Sequence, residues 1–317
     1  MSLSIRNWPA ALLTMLAPIP GFAETPLQQP ASQEDDGQRR ARPANSAPNF
    51  SFFSPAFELR YATAANIKNA PGRYSTTLYD TDLSFFKITP KESIVAFCGY
   101  SFTDTRFSDT PAAYGDLERV HFFARYEHRI SDSQWALFVD GSFILAAEES
   151  ASLGKGLIGR GGLGLKYTFS ENFDFSVGVM VMNRLSDSAD ILPYGGFNWK
   201  ISQYWSLRLT NGLVLSHDVF GDKTLRIDLA GLYRGGDYRM ADITVAGRRH
   251  ARALEVREFV LALSVTKEFF DRACYLGLGV EGVFLGKYKF RSTGGSNIGE
   301  FECDPSLAFA LKGGFRF

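Results

Sequence analysis

The chain ends on SLAFALKGGFRF, residues Ser306–Phe317. Leu307, Phe309, Leu311, Phe315 and Phe317 share one parity, while Ser306, Ala308, Ala310, Lys312, Gly314 and Arg316 share the other. A period of two marks a strand with one apolar face and one small or polar face. Such a strand, ending on an aromatic residue, has the form of an edge offered for pairing.

Similar alternation recurs through the second half of the chain and much of the first. In VHFFARYEHR (120–129), Val120, Phe122, Ala124 and Tyr126 oppose His121, Arg125, Glu127 and Arg129, with Arg119 just before them. In WALFVDGSFIL (135–145), Trp135, Leu137, Val139, Phe143 and Leu145 oppose Asp140 and Ser142. FDFSVGVMVMNR (173–184), TLRIDLAGLYR (224–234) and CYLGLGVEGVFLGKYKFR (274–291) repeat the pattern. Charges on one face of nearly every long strand are hard to place in a β-sandwich core. They suit a barrel whose apolar face meets lipid and whose polar face meets the interior.

The connections alternate too. Tight turns are expected at 89–92, 130–134, 169–173, 200–205, 219–223 and 268–272, and longer loops lie between them, near 64–73, 104–115, 147–156, 185–190, 244–253 and 292–303. Short turns on one rim and long loops on the other are the asymmetry of an outer-membrane barrel. Counting gives about fourteen antiparallel strands in an up-and-down arrangement. The count falls to twelve if the pair around Asn211-Gly212 is not formed. Gly235-Gly236 reverses the polarity pattern, so a bulge is expected there. Trp135, Trp199 and Trp205 fall near tight turns, where an aromatic girdle would lie.

Bulk composition agrees. In 317 residues, 34 basic side chains balance 34 acidic ones, so no global field points to nucleic acid. Aromatic content of 14% and 30 glycines suit strands and tight turns. No run approaches 18 apolar residues, so no transmembrane helix is expected, and a mean hydropathy of −0.10 is compatible with a spanning barrel.

The first residues, MSLSIRNWPAALLTMLAPIPGFAETP, read as a signal peptide over 1–23, with cleavage after Ala23. Residues 24–49 are rich in Pro, Gln, Ser and charge and read as a disordered periplasmic leader. Residues 50–317 form the expected barrel domain. The three cysteines, Cys98, Cys274 and Cys303, are expected to be free.

Two stretches besides the C-terminus carry a resemblance: ILPYGGFNWKISQYWSLRL (191–209) and YRGGDYRM (233–240). With FECDPSLAFALKGGFRF (301–317) they resemble a family of bacterial outer-membrane β-barrels to which no activity is assigned. The departure is Cys303, where that pattern has an acidic or small residue. The final strand also resembles the C-terminal Phe assembly signal of such barrels, covering Leu307, Phe309, Leu311, Phe315 and Phe317. The resemblance implies the fold and a bacterial outer-membrane location and adds no chemistry. It implies as partners outer-membrane lipid and lipopolysaccharide, the barrel assembly machinery and periplasmic chaperones.

Enzyme signals are poor. His128 lies near Ser131 and Ser133, and His250 lies in a basic loop with Arg248, Arg249, Arg252 and Arg257; neither makes a nucleophile-base pattern. No spacing of His, Cys and carboxylate suits a metal, and GKGLIGRGGLGLK (154–166) lacks the helix a phosphate loop needs. No cofactor and no catalytic residue is expected.

The inward charges are the informative set. Arg119, Arg125, Glu127, Asp140, Lys166, Asp174, Arg208, Arg226, Asp228, Glu258, Glu281 and Lys287 are expected to face the lumen, with Glu58, Arg60, Asp80, Asp82, Arg234, Lys289 and Lys312. If unpaired, they leave a wet pore, and the chain is a porin-like passive channel for small solutes. If paired, they fill the interior of a structural or ligand-binding barrel.

Overall fold

The computed structural model describes residues 50–68, 70–131, 133–185, 189–210, 212–245, 248–292 and 294–317. The expected signal peptide with Ala23, the leader 24–49 and Asn211 lie outside the described residues.

The chain runs up and down through strands β1 (Phe50–Asn66), β2 (Arg73–Ile88), β3 (Glu92–Ser108), β4 (Leu117–Arg129) and β5 (Trp135–Glu148). It continues through β6 (Leu157–Ser170), β7 (Phe173–Met182), β8 (Asp190–Lys200), β9 (Trp205–Leu209) and β10 (Gly212–Asp218). Four long or paired elements complete it: β11 (Leu225–Val245), β12 (Arg248–Phe269), β13 (Cys274–Ser292), and β14 (Asn297–Glu302) with β15 (Ser306–Phe315). Sequential neighbours pair antiparallel, and β15 pairs with both β13 and β1, closing the sheet on itself.

β14 and β15 form one stave. Lys287 pairs with Glu302 and Val283 with Ser306, so the two strands keep one register along β13 across the break at Cys303–Pro305. The result is a closed antiparallel barrel of 14 strands. The expected loop at 244–253 is instead largely strand, because β11 and β12 extend their pairing to Val245 and Arg248. Half of the expected loop at 292–303 is β14.

Alternation drives the architecture. Leu163, Leu278, Val139, Leu263, Leu307 and Phe309 point outward and are more than half exposed. A continuous apolar belt of this kind is stable only against hydrocarbon, because a closed barrel satisfies its backbone internally and can expose apolar side chains to lipid. Trp135, Trp199 and Trp205 sit on the same outer face beside the tight turns. Inside, glycine makes room: a Cβ on Gly164 would stand 2.4 Å from Cζ of Phe138, so only glycine lets that ring lie flat against β6.

Two features depart from the sequence expectation. No bulge occurs at Gly235-Gly236; β11 and β12 hold one register from Leu225↔Lys267 to Met240↔Arg252, and the shift comes later, between Met240 and Ile243. The polarity reversal has another cause. Upper β11 bends inward, so its former lipid face, with Asp237 and Arg239, is buried against protein. The bulge lies instead in β13, opposite Glu258, where Leu285 has φ +52°.

β11 bends because it has no wall neighbour above Gly212. β9 and β10 are short, and past them Arg239 pairs in parallel register with Ala147 of β5. The upper rim is therefore a smaller ring that runs from β5 directly to β11 and leaves β6 to β10 outside it.

Candidate functional site

The lumen has three levels. The upper ring is filled by an apolar core of Tyr74, Leu117, Met240, Leu254, Tyr288 and Phe301. Tyr114, on the β3–β4 loop, enters this core and is 4% exposed; its hydroxyl lies 2.6 Å from that of Tyr74. Glu148 pins both sides of the ring. Its Oε1 accepts from the Gly115 N–H at 2.7 Å and its Oε2 from the Ala241 N–H at 2.9 Å.

Below this lies a charged layer. Glu281 Oε2 accepts from Arg60 Nε at 2.7 Å and from Arg234 Nη1 at 2.5 Å, while its Oε1 accepts from Arg234 Nη2 at 2.8 Å. Glu58 stands 3.9 Å from Arg234 and Glu258 3.9 Å from Arg60. The Tyr288 hydroxyl donates to Glu258 at 2.7 Å, tying this layer to the aromatic core above. Two guanidinium groups thus share three carboxylates in a site where none of these side chains is more than 14% exposed. Under the charged layer, toward the tight-turn rim, a cavity of about 60 Å³ is lined by Asp80, Asp228, Ser264, Lys312 and apolar side chains, with Glu58, Arg234 and Glu281 as its roof.

The other predicted lumenal residues are placed as follows. Arg119 points inward, is 7% exposed and lies beside Tyr238. Arg125 lies over the Phe138 ring at 3.8 Å, and Lys166 donates to Glu127 at 3.2 Å. The Tyr194 hydroxyl donates to Asp140 at 2.9 Å, and Arg226 donates to Asp228 at 3.0 Å. Asp174 and Arg208 have the inward parity near the tight-turn rim and are half-buried. Several inward charges therefore find partners on strands that are not neighbours in the sheet, as Lys166 of β6 does with Glu127 of β4 and Asp140 of β5 with Tyr194 of β8.

Lys287 is a correction. The Leu285 bulge shifts parity by one, so Lys287 faces outward and donates to Glu300 at 3.1 Å and Glu302 at 2.9 Å, while Tyr288 and Phe290 turn inward. Lys289 shares that outward parity. The sequence held no signal for this: Phe284, Tyr288 and Phe290 keep one parity, so unbroken alternation puts Tyr288 and Phe290 outward and Lys287 inward. The missed residues are Tyr74, Tyr114, Tyr288 and Phe301, whose inward apolar character only the ring explains.

Leu307, Phe309, Leu311, Phe315 and Phe317 all lie on the outer face, Phe317 at 78% exposed. His128 is near Tyr126 and Glu92 at the tight-turn rim, and the Ser133 hydroxyl donates to the Ile130 carbonyl rather than to a base. The side chains of Arg248, Arg249 and His250 lie outside the described residues. Cys98, Cys274 and Cys303 are free.

No protein-family model and no curated protein matches the chain. Among solved structures it is similar to the COG4313 outer membrane channel from Pseudomonas putida F1, at 11% identity over 88% of this chain and 100% of that one, with a TM-score of 0.45. The Pseudomonas putida toluene transporter TodX matches at 8% identity over 85% and 90%, with a TM-score of 0.39. Acinetobacter baumannii OccAB1 matches at 10% identity over 84% and 97%, with a TM-score of 0.35.

Proposed function

We propose that the protein is a small-molecule channel of the bacterial outer membrane, with a side-chain-filled lumen rather than a standing aqueous pore. One observation carries this reading. A cavity of about 60 Å³ with mixed charge lies inside the barrel, yet the Arg60–Glu281–Arg234 layer and the aromatic ring stand between it and the far rim. A cavity lined by paired charges and backed by a packed aromatic core is suited to admit a solute only when side chains move.

The outer-membrane assignment rests on the apolar belt and on short turns at every connection of one rim. Lipid, lipopolysaccharide, periplasmic chaperones and the barrel assembly machinery are its proposed partners. The outward row ending at Phe317 is its proposed assembly signal, and cleavage after Ala23 its proposed processing step. No catalytic role is proposed.

The test is reconstitution of the mature protein in planar bilayers and liposomes. Expected are small, infrequent current steps and slow swelling with small sugars. Tyr114→Ala, which removes the ring that enters the upper core, is expected to raise conductance severalfold. Large, steady steps in the unaltered protein would overturn the closed-lumen reading.

The tight packing of the upper core favours a second reading, a non-conducting structural or ligand-binding barrel. That reading is supported if neither the native protein nor Tyr114→Ala passes any solute.

A further inference from the structure

β9 and β10 are five and seven residues long, and the uppermost pairs they make with the long staves are Phe197↔Leu209 and Gly212↔Leu232. Above them β8, from Asp190 to Gly196, pairs with β7 alone, and β11, from Tyr233 to Asp237, pairs with β12 alone. The Lys200 N–H donates to Asn172 on the β7 side, and the Val219 N–H donates to Leu225 of β11 from the β10 side. Backbone groups alternate sides along an antiparallel strand. The groups of Ile191, Pro193 and Gly195 therefore face the seam from β8, and those of Tyr233, Gly235 and Asp237 face it from β11. Pro193, which has no N–H, falls on this unpaired side. Among the described residues, no backbone pairing joins the upper halves of β8 and β11.

The upper halves of β6, β7 and β8 are thus a three-stranded flap, continuous with β5 on one side and free on the other. Its base is weak. Gly164 pairs with Gly178, and Gly195 and Gly196 follow on β8, just above the level where β9 ends. Glycine in a strand interior leaves no side chain to hold the neighbours.

Side chains close the seam instead. Arg184, just past the end of β7, donates to Asp237 at 2.9 and 3.1 Å and to Glu255 at 2.9 Å, and stands 3.9 Å from Asp190 of β8. One guanidinium thus ties the flap to both β11 and β12. Beside it, Tyr238 of β11 packs on Ile144, Ala146, Ile158 and Met182.

We infer that Arg184 is the latch of this flap, and that its release lets β6–β8 swing away from β11 and opens a solute path beside the filled ring. A joint held by a backbone ladder opens only with loss of many hydrogen bonds, whereas one held by a few side chains opens at lower cost. The ring is packed with Tyr74, Tyr114, Tyr288 and Phe301, so the seam is the weaker of the two barriers. Both walls of the opened seam carry polar groups, Ser142 and Asn183 on one side and Asp237 on the other. The solute path rests on the channel reading; the motion of the flap does not.

The reporter is Ser142→Cys, on the inner face of β5 beside the clamp, in a chain whose Cys98, Cys274 and Cys303 are replaced by serine. Ser142 is 8% exposed, so labelling there requires the seam to open. Its reaction rate with a small water-soluble maleimide is measured on the full mature chain in lipid nanodiscs. Arg184→Ala is expected to speed labelling at least tenfold. Thr266→Cys, at a position 1% exposed in the lower barrel, is expected to keep its rate. With Arg184 in place, raising salt from about 0.1 M to about 1 M is expected to speed labelling of Ser142→Cys severalfold, because screening weakens the clamp. Arg184→Ala is expected to remove that dependence and to raise conductance in planar bilayers at least threefold.

A covalent lock is the reverse test. Arg184→Cys with Asp237→Cys, joined by a short bifunctional thiosulfonate, is expected to conduct no better than the native protein. The same sample after reduction is expected to conduct like Arg184→Ala. Heat-shifted gel migration checks the folding of each variant, and the salt test decides even if Arg184→Ala does not assemble. Labelling of Ser142→Cys that ignores salt with Arg184 in place, or ignores Arg184→Ala, overturns the latch. An equal gain at Thr266→Cys overturns it too, by showing that the whole barrel loosens. Faster labelling with conductance unchanged in Arg184→Ala and by reduction of the lock keeps the flap and overturns the path.

Discussion

Arg239 of β11 pairs in parallel register with Ala147 of β5, although β6 to β10 lie between them in the chain. That single junction turns the upper barrel into a narrower ring around its packed core. Both partners are at unpaired strand ends: β5 runs past the start of β6, and β11 runs past the end of β10. Two free edges satisfy each other's backbone groups, which would otherwise be left without partners away from water.

Glu148 holds this junction, because its two oxygens take buried backbone N–H groups from Gly115 and Ala241. Replacing it with alanine leaves both donors unmet, at about 1–3 kcal/mol each. Glu148→Ala is expected to lower the urea midpoint of the folded barrel and to raise conductance as β11 loosens from β5. Unchanged values of both would show that the junction stands without it.

Glu281 is the hub of the charged layer. Glu281→Gln leaves Arg60 and Arg234 buried without their main counter-charge, a loss of about 3–5 kcal/mol for a broken buried pair. Equilibrium unfolding in lipid vesicles measures it. The expectation is a drop of this size, larger than that of Lys287→Gln, which loses only the solvent-screened pairs with Glu300 and Glu302.

The Leu285 bulge decides which way Lys287 points. A cysteine at position 287, in a chain whose three native cysteines are replaced by serine, is expected to react with a membrane-impermeant maleimide added to intact cells. A cysteine at position 312, inside the lower lumen, is expected to stay unlabelled. Equal labelling would place both residues on one face.

Phe317 is the most exposed large residue of the final stave. Phe317→Ala removes few native contacts, so the unfolding free energy of the assembled barrel is expected to change by less than about 0.5 kcal/mol, as at other open surface sites. The yield of assembled barrel in the outer membrane is expected to fall severalfold. A loss of stability with normal yield would make the residue structural rather than an assembly signal.

The sequence by itself determined the strands, the tight turns and the faces of the lower barrel. Side-chain period two and turn chemistry are local properties, so Arg119, Asp140, Asp228 and Glu281 could be assigned inward from their neighbours alone. The number of staves followed, including the short β9–β10 pair. Tertiary structure alone decided what happens above it. Whether Asp237 meets lipid or protein depends on β5, distant in sequence, reaching a free edge of β11. Whether Lys287 points in or out depends on one bulged residue opposite Glu258. Pairing between the inward charges also depends on curvature, because closure of the sheet brings Arg60 and Arg234 to one carboxylate that no spacing along the chain connects to either.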